Sequence, residues 1–138
     1  MAQQTNFRPK KECPFLGPNA FDLVAFTIGA KSVNTINVAA QLQDAHGKSI
    51  AVPASARVFL SDASTGLGIT ATATTSALAI GTNGNLLLVD VTGKMCSVQS
   101  DASGRFDLNV IQSVSPTTYY MVVEMPDGSI AVSGAITF

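Results

Sequence analysis

The sequence predicts an all-β sandwich preceded by an extended arm, on three observations. From Phe21 onward apolar and polar residues alternate with period two, turn signals recur at roughly ten-residue intervals, and no segment keeps a 3.6-residue apolar period beyond about two turns. A chain of 138 residues supports one domain with its own core. We divide it into an arm over residues 1–20 and a β-sandwich domain over residues 21–138.

The arm holds Pro9, Pro14, Gly17 and Pro18 and has no helical or strand period. The first clear strand lies in 34–43, where Ile36, Val38, Ala40 and Leu42 alternate with Asn37, Ala39, Gln41 and Gln43. Asp44-Ala45-His46-Gly47 reads as a turn, with Gly47 free to take positive φ. Ile50–Val52 then continues extended into Pro53, and Arg57–Ser61 forms a short strand with Val58 and Leu60 on one face. Residues 62–84, rich in Ala, Thr and Gly, predict a long loop with at most one strand near 77–80. A loop of that length in a compact domain is usually functional or an interface.

The C-terminal half reads more plainly. Leu86–Val91 and Lys94–Val98 flank a Thr92-Gly93 hairpin turn, and Ser100–Gly104 turns the chain into the alternating strand Arg105–Ile111. Thr118–Glu124 is a β-branched and aromatic run that sends Tyr119 and Tyr120 to opposite faces. Met125-Pro126-Asp127-Gly128 is a strong turn, and the last strand presents Ile130, Val132, Gly134, Ile136 and Phe138 on one face.

Charge narrows the function. Only 12% of residues are charged and the net charge is −1, which offers nothing to draw the chain to nucleic acid or an anionic membrane. A surface so poor in charge suits a protein packed against neighbours. Arg8, Lys10 and Lys11 fall in the first eleven positions, which hold no acid. Five basic and nine acidic residues remain, so a +3 segment leads a −4 body and suggests an arm with its own partner. No apolar run follows the basic residues as a secretory signal requires, and no stretch of about eighteen apolar residues exists to span a membrane. The expectation is synthesis in a cytoplasm.

No catalytic constellation emerges, and we expect no enzyme, no cofactor and no metal. His46 is the single imidazole and sits at a turn tip. Cys13 and Cys96 lie far apart with no CxxC, and free thiols are favoured over a bridge. Asp101, Ser103 and Asp107 faintly resemble a calcium loop, but Phe106 and Gln112 stand where Gly and Glu are needed, so an Asx-type turn is the better reading. Asn83-Gly84-Asn85 leads into a strand and has no helix N-terminus to receive a phosphate. The candidate partner-binding residues are therefore in the arm: Phe7, Arg8, Lys10, Lys11, Phe15 and Leu16. Phe21, beside the arm, joins them as an apolar residue in need of a core, here or on a neighbour.

The stretches SVNTINVAAQLQDAHGKSIAVPASARVFLSD, AIGTNGNLLL, SDASGRFDLNV and TTYYMVVEMPDGSIAVSGAITF resemble small structural proteins of tailed bacteriophages, encoded among head genes and similar to immunoglobulin-like modules. The resemblance covers about residues 32–138 and leaves out the arm. Its most specific parts are Asn34-Ile36-Asn37-Val38 with Gln41-Leu42, and the closing Pro126-Asp127-Gly128 with Ser133-Gly134-Ala135-Ile136-Thr137-Phe138. It implies an immunoglobulin-like β-sandwich and a virion component on the capsid surface. That component would be a head decoration or stabilising protein bound to the major capsid protein as a homo-oligomer, with a trimer expected. The alternatives are an Ig-like module of the phage tail or fibre, or a receptor- or carbohydrate-binding module. The last lacks an aromatic platform, since the chain has no Trp and two Tyr.

Overall fold

The computed structural model describes residues 20–138. The expectations for the arm, for its six candidate residues and for Cys13 lie outside the described residues. The described strands are β1 (Leu23–Ile28), β2 (Thr35–Gln43), β3 (Ser55–Ser61), β4 (Ala79–Ile80), β5 (Asn85–Val91), β6 (Met95–Gln99), β7 (Arg105–Ile111), β8 (Thr118–Glu124) and β9 (Ile130–Thr137). No helix occurs among the described residues. The strands form two antiparallel sheets, one in the order β9-β8-β3-β6-β5 and the other β1-β2-β7-β4. One hydrophobic cluster draws on both, with Ile36, Val38, Leu42, Phe106 and Leu108 from the smaller sheet and Val58, Leu60, Cys96, Tyr119 and Met121 from the larger. The architecture is sandwich-like, as the alternation predicts.

Strand period explains each sheet's two faces. In β2, Ile36, Val38, Ala40 and Leu42 are buried while the residues between them are half-buried. Phe21 is also buried, so this aromatic finds its core on its own domain, and the neighbouring Asp22 N–H donates to Gln43 O (2.9 Å). Ile50–Val52 forms no strand: it crosses between the sheets, with Ile50 buried and its N–H bonded to Leu42 O (3.1 Å). The Thr92-Gly93 turn is present, closed by Lys94 N–H to Val91 O (3.0 Å), and Val91 pairs with Met95. Gly93 takes the left-handed conformation at φ 72°.

The last strand departs from the expectation that one face carries Ile130, Val132, Gly134, Ile136 and Phe138. The β8–β9 register shifts between Val132 and Ala135, where β9 holds one residue more than β8. This bulge reverses the alternation. Ile130 and Val132 lie on the outer face beside Glu124 and Val122, while Ile136 and Phe138 enter the core beside Tyr119. Ser133 fills the bulge, its hydroxyl accepting the Met121 N–H (2.9 Å) and donating to Gly134 O (2.8 Å).

Cys96 is fully buried between Val58 and Val89 on the neighbouring strands. Burial, aided by the nearby Asp90 charge, pushes its thiol up to about 12, so it carries no thiolate at neutral pH. Alkylating reagents are expected to modify Cys96 only in denaturant. Cys96→Ser is expected to lower stability by about 1–3 kcal/mol, because a hydroxyl replaces a small apolar group in the core. Thiol titration and urea unfolding check the two outcomes.

Candidate interaction surface

The strand ends define two ends of the sandwich. One carries the turns at 44–47, 101–104 and 125–128, together with the entry of the chain at Phe21. The other carries the loops 29–34, 62–76, 92–94 and 112–117. At the first end stand Asp22, Asp44, Lys48, Asp101, Arg105 and Asp127. Several are committed to their own turns: Asp44 Oδ1 accepts the His46 and Lys48 N–H groups, and Asp101 Oδ1 accepts those of Ser103 and Arg105. The Asx-turn reading of Asp101 therefore holds, and His46 is an exposed turn residue. Tyr119 is buried and Tyr120 half-buried, as expected of neighbours on one strand.

The loop end is different. Segment 62–78 is less a free loop than a plug, with Thr70, Thr74 and Leu78 buried. Asp62 accepts the Thr70 hydroxyl (2.5 Å) and the Ala71 N–H (3.0 Å), and these bonds hold its carboxyl below the ordinary value. Thr70 N–H donates to Leu60 O, Thr74 N–H to Gly93 O and Thr75 N–H to Ile111 O, so the segment crosses from the larger sheet to the smaller. Beneath it, the Gln112 amide donates to the Tyr119 hydroxyl (2.6 Å). Segment 62–84 contains β4, the short strand expected near 77–80.

Three loops place apolar side chains in solvent here. Ser32 and Thr35 exchange both backbone hydrogen bonds (2.8 and 2.9 Å) and close a two-residue turn over Val33 and Asn34. Val33 has φ 58° and is 84% exposed. Positive φ at the first central residue alone marks a II′-type turn, whose first position glycine normally fills. A β-branched residue there costs about 1–2 kcal/mol in backbone strain, and the solvent-exposed side chain recovers none of it in packing. Asn34 O accepts the Gln112 N–H (2.8 Å), which joins this turn to the next loop. There Gln112 Oε1 accepts the Val114 N–H and Val114 O accepts the Thr117 hydroxyl (2.6 Å), so Val114 is held on both sides while 63% exposed. Leu67, at 73%, and Ile69 are exposed on the 62–78 segment.

The second apolar surface is β5. Among the described residues this edge strand pairs only with β6, and Leu86, Leu87, Leu88, Val89 and Val91 are all exposed. Pairing with β6 sets Leu88 and Val91 opposite Ser97 and Met95 on the outer face and Leu86 and Val89 opposite Val98 and Cys96 on the inner face, where β4, the edge strand of the other sheet, is two residues long. Leu23, by contrast, is exposed at the charged end.

A shallow depression of about 420 Å³ lies beside Arg57, Ser97 and Glu124, and another of about 300 Å³ beside Gln41, Asn83 and Arg105. Neither is lined by histidine, and the Ser97 hydroxyl is committed to Asp90 (2.9 Å). Among the described residues no three His, Cys, Asp or Glu side chains gather as a metal ion would need, and no helix is long and apolar enough to cross a membrane. Thr82 and Asn83 do form an anion cradle, but an internal one: their N–H groups hold the Asp107 carboxylate. No protein-family model matches this chain, and no curated protein is significantly similar to it.

Proposed function

We propose that this chain is an immunoglobulin-like structural protein of a tailed-bacteriophage particle, a decoration protein that binds the major capsid protein and stabilises the shell. The virion assignment rests on the resemblance of residues 32–138. Docking rests on the loop end, where Val33 occupies a position that favours glycine and gains nothing from its own fold in return. An apolar side chain held rigidly in solvent on a strained turn is a feature a partner surface would use. The arm, with Phe7, Arg8, Lys10, Lys11, Phe15 and Leu16, supplies a second attachment, its basic residues set against carboxylates on the capsid subunit.

Add-back to particles lacking the protein tests this reading. Val33→Asn combined with Val114→Ser is expected to melt at or above the wild-type temperature, because Asn tolerates the left-handed conformation. The same variant is expected to bind particles about tenfold or more weakly, since each valine buried at an interface is worth about 1.5–3 kcal/mol when fully covered. Removing residues 1–19 is expected to weaken binding while leaving the melting temperature of the isolated protein close to wild type. Wild-type occupancy by both variants would overturn the docking model.

A further inference from the structure

We propose that Asn83-Gly84 is a site of spontaneous deamidation, and that the carboxylate it creates unlocks the segment folded over Asp107. The inference does not depend on the particle assignment. Asn83-Gly84 is the only Asn-Gly dipeptide in the chain, and Asp127-Gly128 is the only Asp-Gly. Both are prone to one reaction, because glycine has no side chain to hinder its own nitrogen. At position 83 the Gly84 nitrogen bonds to Asn83 Cγ, the side-chain nitrogen leaves as ammonia, and a five-membered succinimide closes. Water then opens the ring at either carbonyl, leaving an aspartate or an isoaspartyl linkage in which the chain runs through Cγ.

Hydrogen bonding separates the two dipeptides. Gly128 N–H donates to Met125 O (2.9 Å), and Asp127 Oδ1 accepts the Ser129 N–H (2.9 Å) and hydroxyl. The Ser129 hydroxyl and N–H hold the Asp127 carboxyl below its ordinary value, so at neutral pH it is ionised and a poor electrophile. Nucleophile and electrophile are both occupied there. At the other site Asn83 N–H donates to Asp107 Oδ1 (2.6 Å) and Asn83 O accepts the Asp107 N–H (3.2 Å). Among the described residues the Gly84 N–H has no acceptor, so its attack breaks no hydrogen bond. Asn83 lines the depression of about 300 Å³ with Gln41 and Arg105, which gives water access to the ring.

The product does not fit where the amide did. Burial pushes the Asp107 carboxyl up, and the Asn83 amide is among the donors that hold it down. A carboxylate in place of that amide sets a second negative charge against a buried one. The isoaspartyl form also adds a methylene to the backbone where there is no slack: a Cβ on Gly84 would lie 2.7 Å from Gln99 O and 2.8 Å from Phe106 Cβ. Both products are expected to free residues 81–84 from Asp107.

Incubation of the full-length protein at mildly alkaline pH, folded and in urea, followed by peptide mapping, reads both sites. Dividing each folded rate by the rate of the same site in urea removes the intrinsic difference between Asn-Gly and Asp-Gly. Asn83 is expected to react in the folded protein within about tenfold of its unfolded rate. Asp127 is expected to fall about a hundredfold or more below its own, the cost of holding reacting atoms about 1 Å out of place. Asn83→Gln is expected to silence position 83, because the six-membered ring it would form closes far more slowly. The deamidated fraction, separated by its added negative charge, and the Asn83→Asp variant are both expected to melt below the intact protein. Equal protection of the two sites in the folded protein overturns the proposal, and so does a deamidated fraction that melts with the intact one.

Discussion

Removing residues 130–138 is expected to abolish cooperative folding. β9 pairs with β8 from Ile130–Glu124 to Thr137–Thr118, and the final residue is tied as well: Phe138 N–H donates to Thr117 O (2.8 Å). Ile136 and Phe138 are buried, and Phe138 meets Tyr119 edge-on with ring centroids 6.3 Å apart. Burying two such side chains is worth about 1.5–3 kcal/mol each. Their loss also opens a cavity beside Tyr119 and strips the ladder from β8. Together these losses rival the ~5–15 kcal/mol that separates folded from unfolded chains of this size. The truncated protein should be insoluble or show no thermal transition, and Ile136→Ala alone should cost about 2–5 kcal/mol in urea unfolding. A soluble truncation with a sharp transition would mean that β9 is not integral to the sheet.

Asp107→Ala is the second large effect expected. Asp107 stands on the outer face of β7, 4% exposed, beneath the chain at Gly81–Asn83. Its carboxylate accepts the Asn37 amide (2.7 Å), the Thr82 N–H (2.9 Å) and the Asn83 N–H (2.6 Å). Gly81 is required there because a Cβ would collide with the Asp107 and Asn37 side chains. Burial pushes the carboxyl up, but hydrogen bonds from Asn37, Asn83 and Thr82 outweigh it and hold the group below its ordinary value. Truncation leaves these donors facing an apolar methyl, so a loss of about 2–4 kcal/mol is expected, together with release of the 81–84 segment that leads into β5. The sign of the pH dependence follows from the lowered folded value. The carboxylate's contribution is complete above the unfolded value of about 3.9 and disappears as the pH falls through the lower folded value. Urea midpoints measured between neutral pH and about pH 3 should therefore fall less steeply in Asp107→Ala than in the wild type.

Much of the fold was legible in local pattern. Period-two alternation determined the strands β2, β3 and β7, because a half-buried strand must place apolar residues on every second position, and a β-branched and aromatic run determined β8. Turn chemistry determined the hairpin at Pro126-Asp127-Gly128, where Gly128 takes φ 89°, and the Asx turn at Asp101. Composition determined that few charges would be available to the surface. The functional surface was harder to read, for physical reasons particular to each element. Val33 conceals its turn because a β-branched residue carries no turn signal, and only the neighbouring Asn34 hints at one.

Bulge formation is decided by the partner strand, and it alone sends Ile130 and Val132 outward while Ile136 turns inward. The 62–78 segment looks like a free loop in sequence, since Thr70 and Thr74 are polar. Their burial depends on Asp62, which folds the segment back on its own start, and on Gly93, which lies outside the segment, both accepting their hydroxyls. Asp107 likewise alternates as an outward residue should, and it is buried only because Gly81–Asn83 folds over it. The amino-acid sequence by itself determined the strands, their turns and the scarcity of charge, all of which follow from interactions between near neighbours. Tertiary structure alone decided which apolar residues stay exposed: among the described residues β5 is the outer strand of its sheet, and no local pattern encodes a strand's place in a sheet.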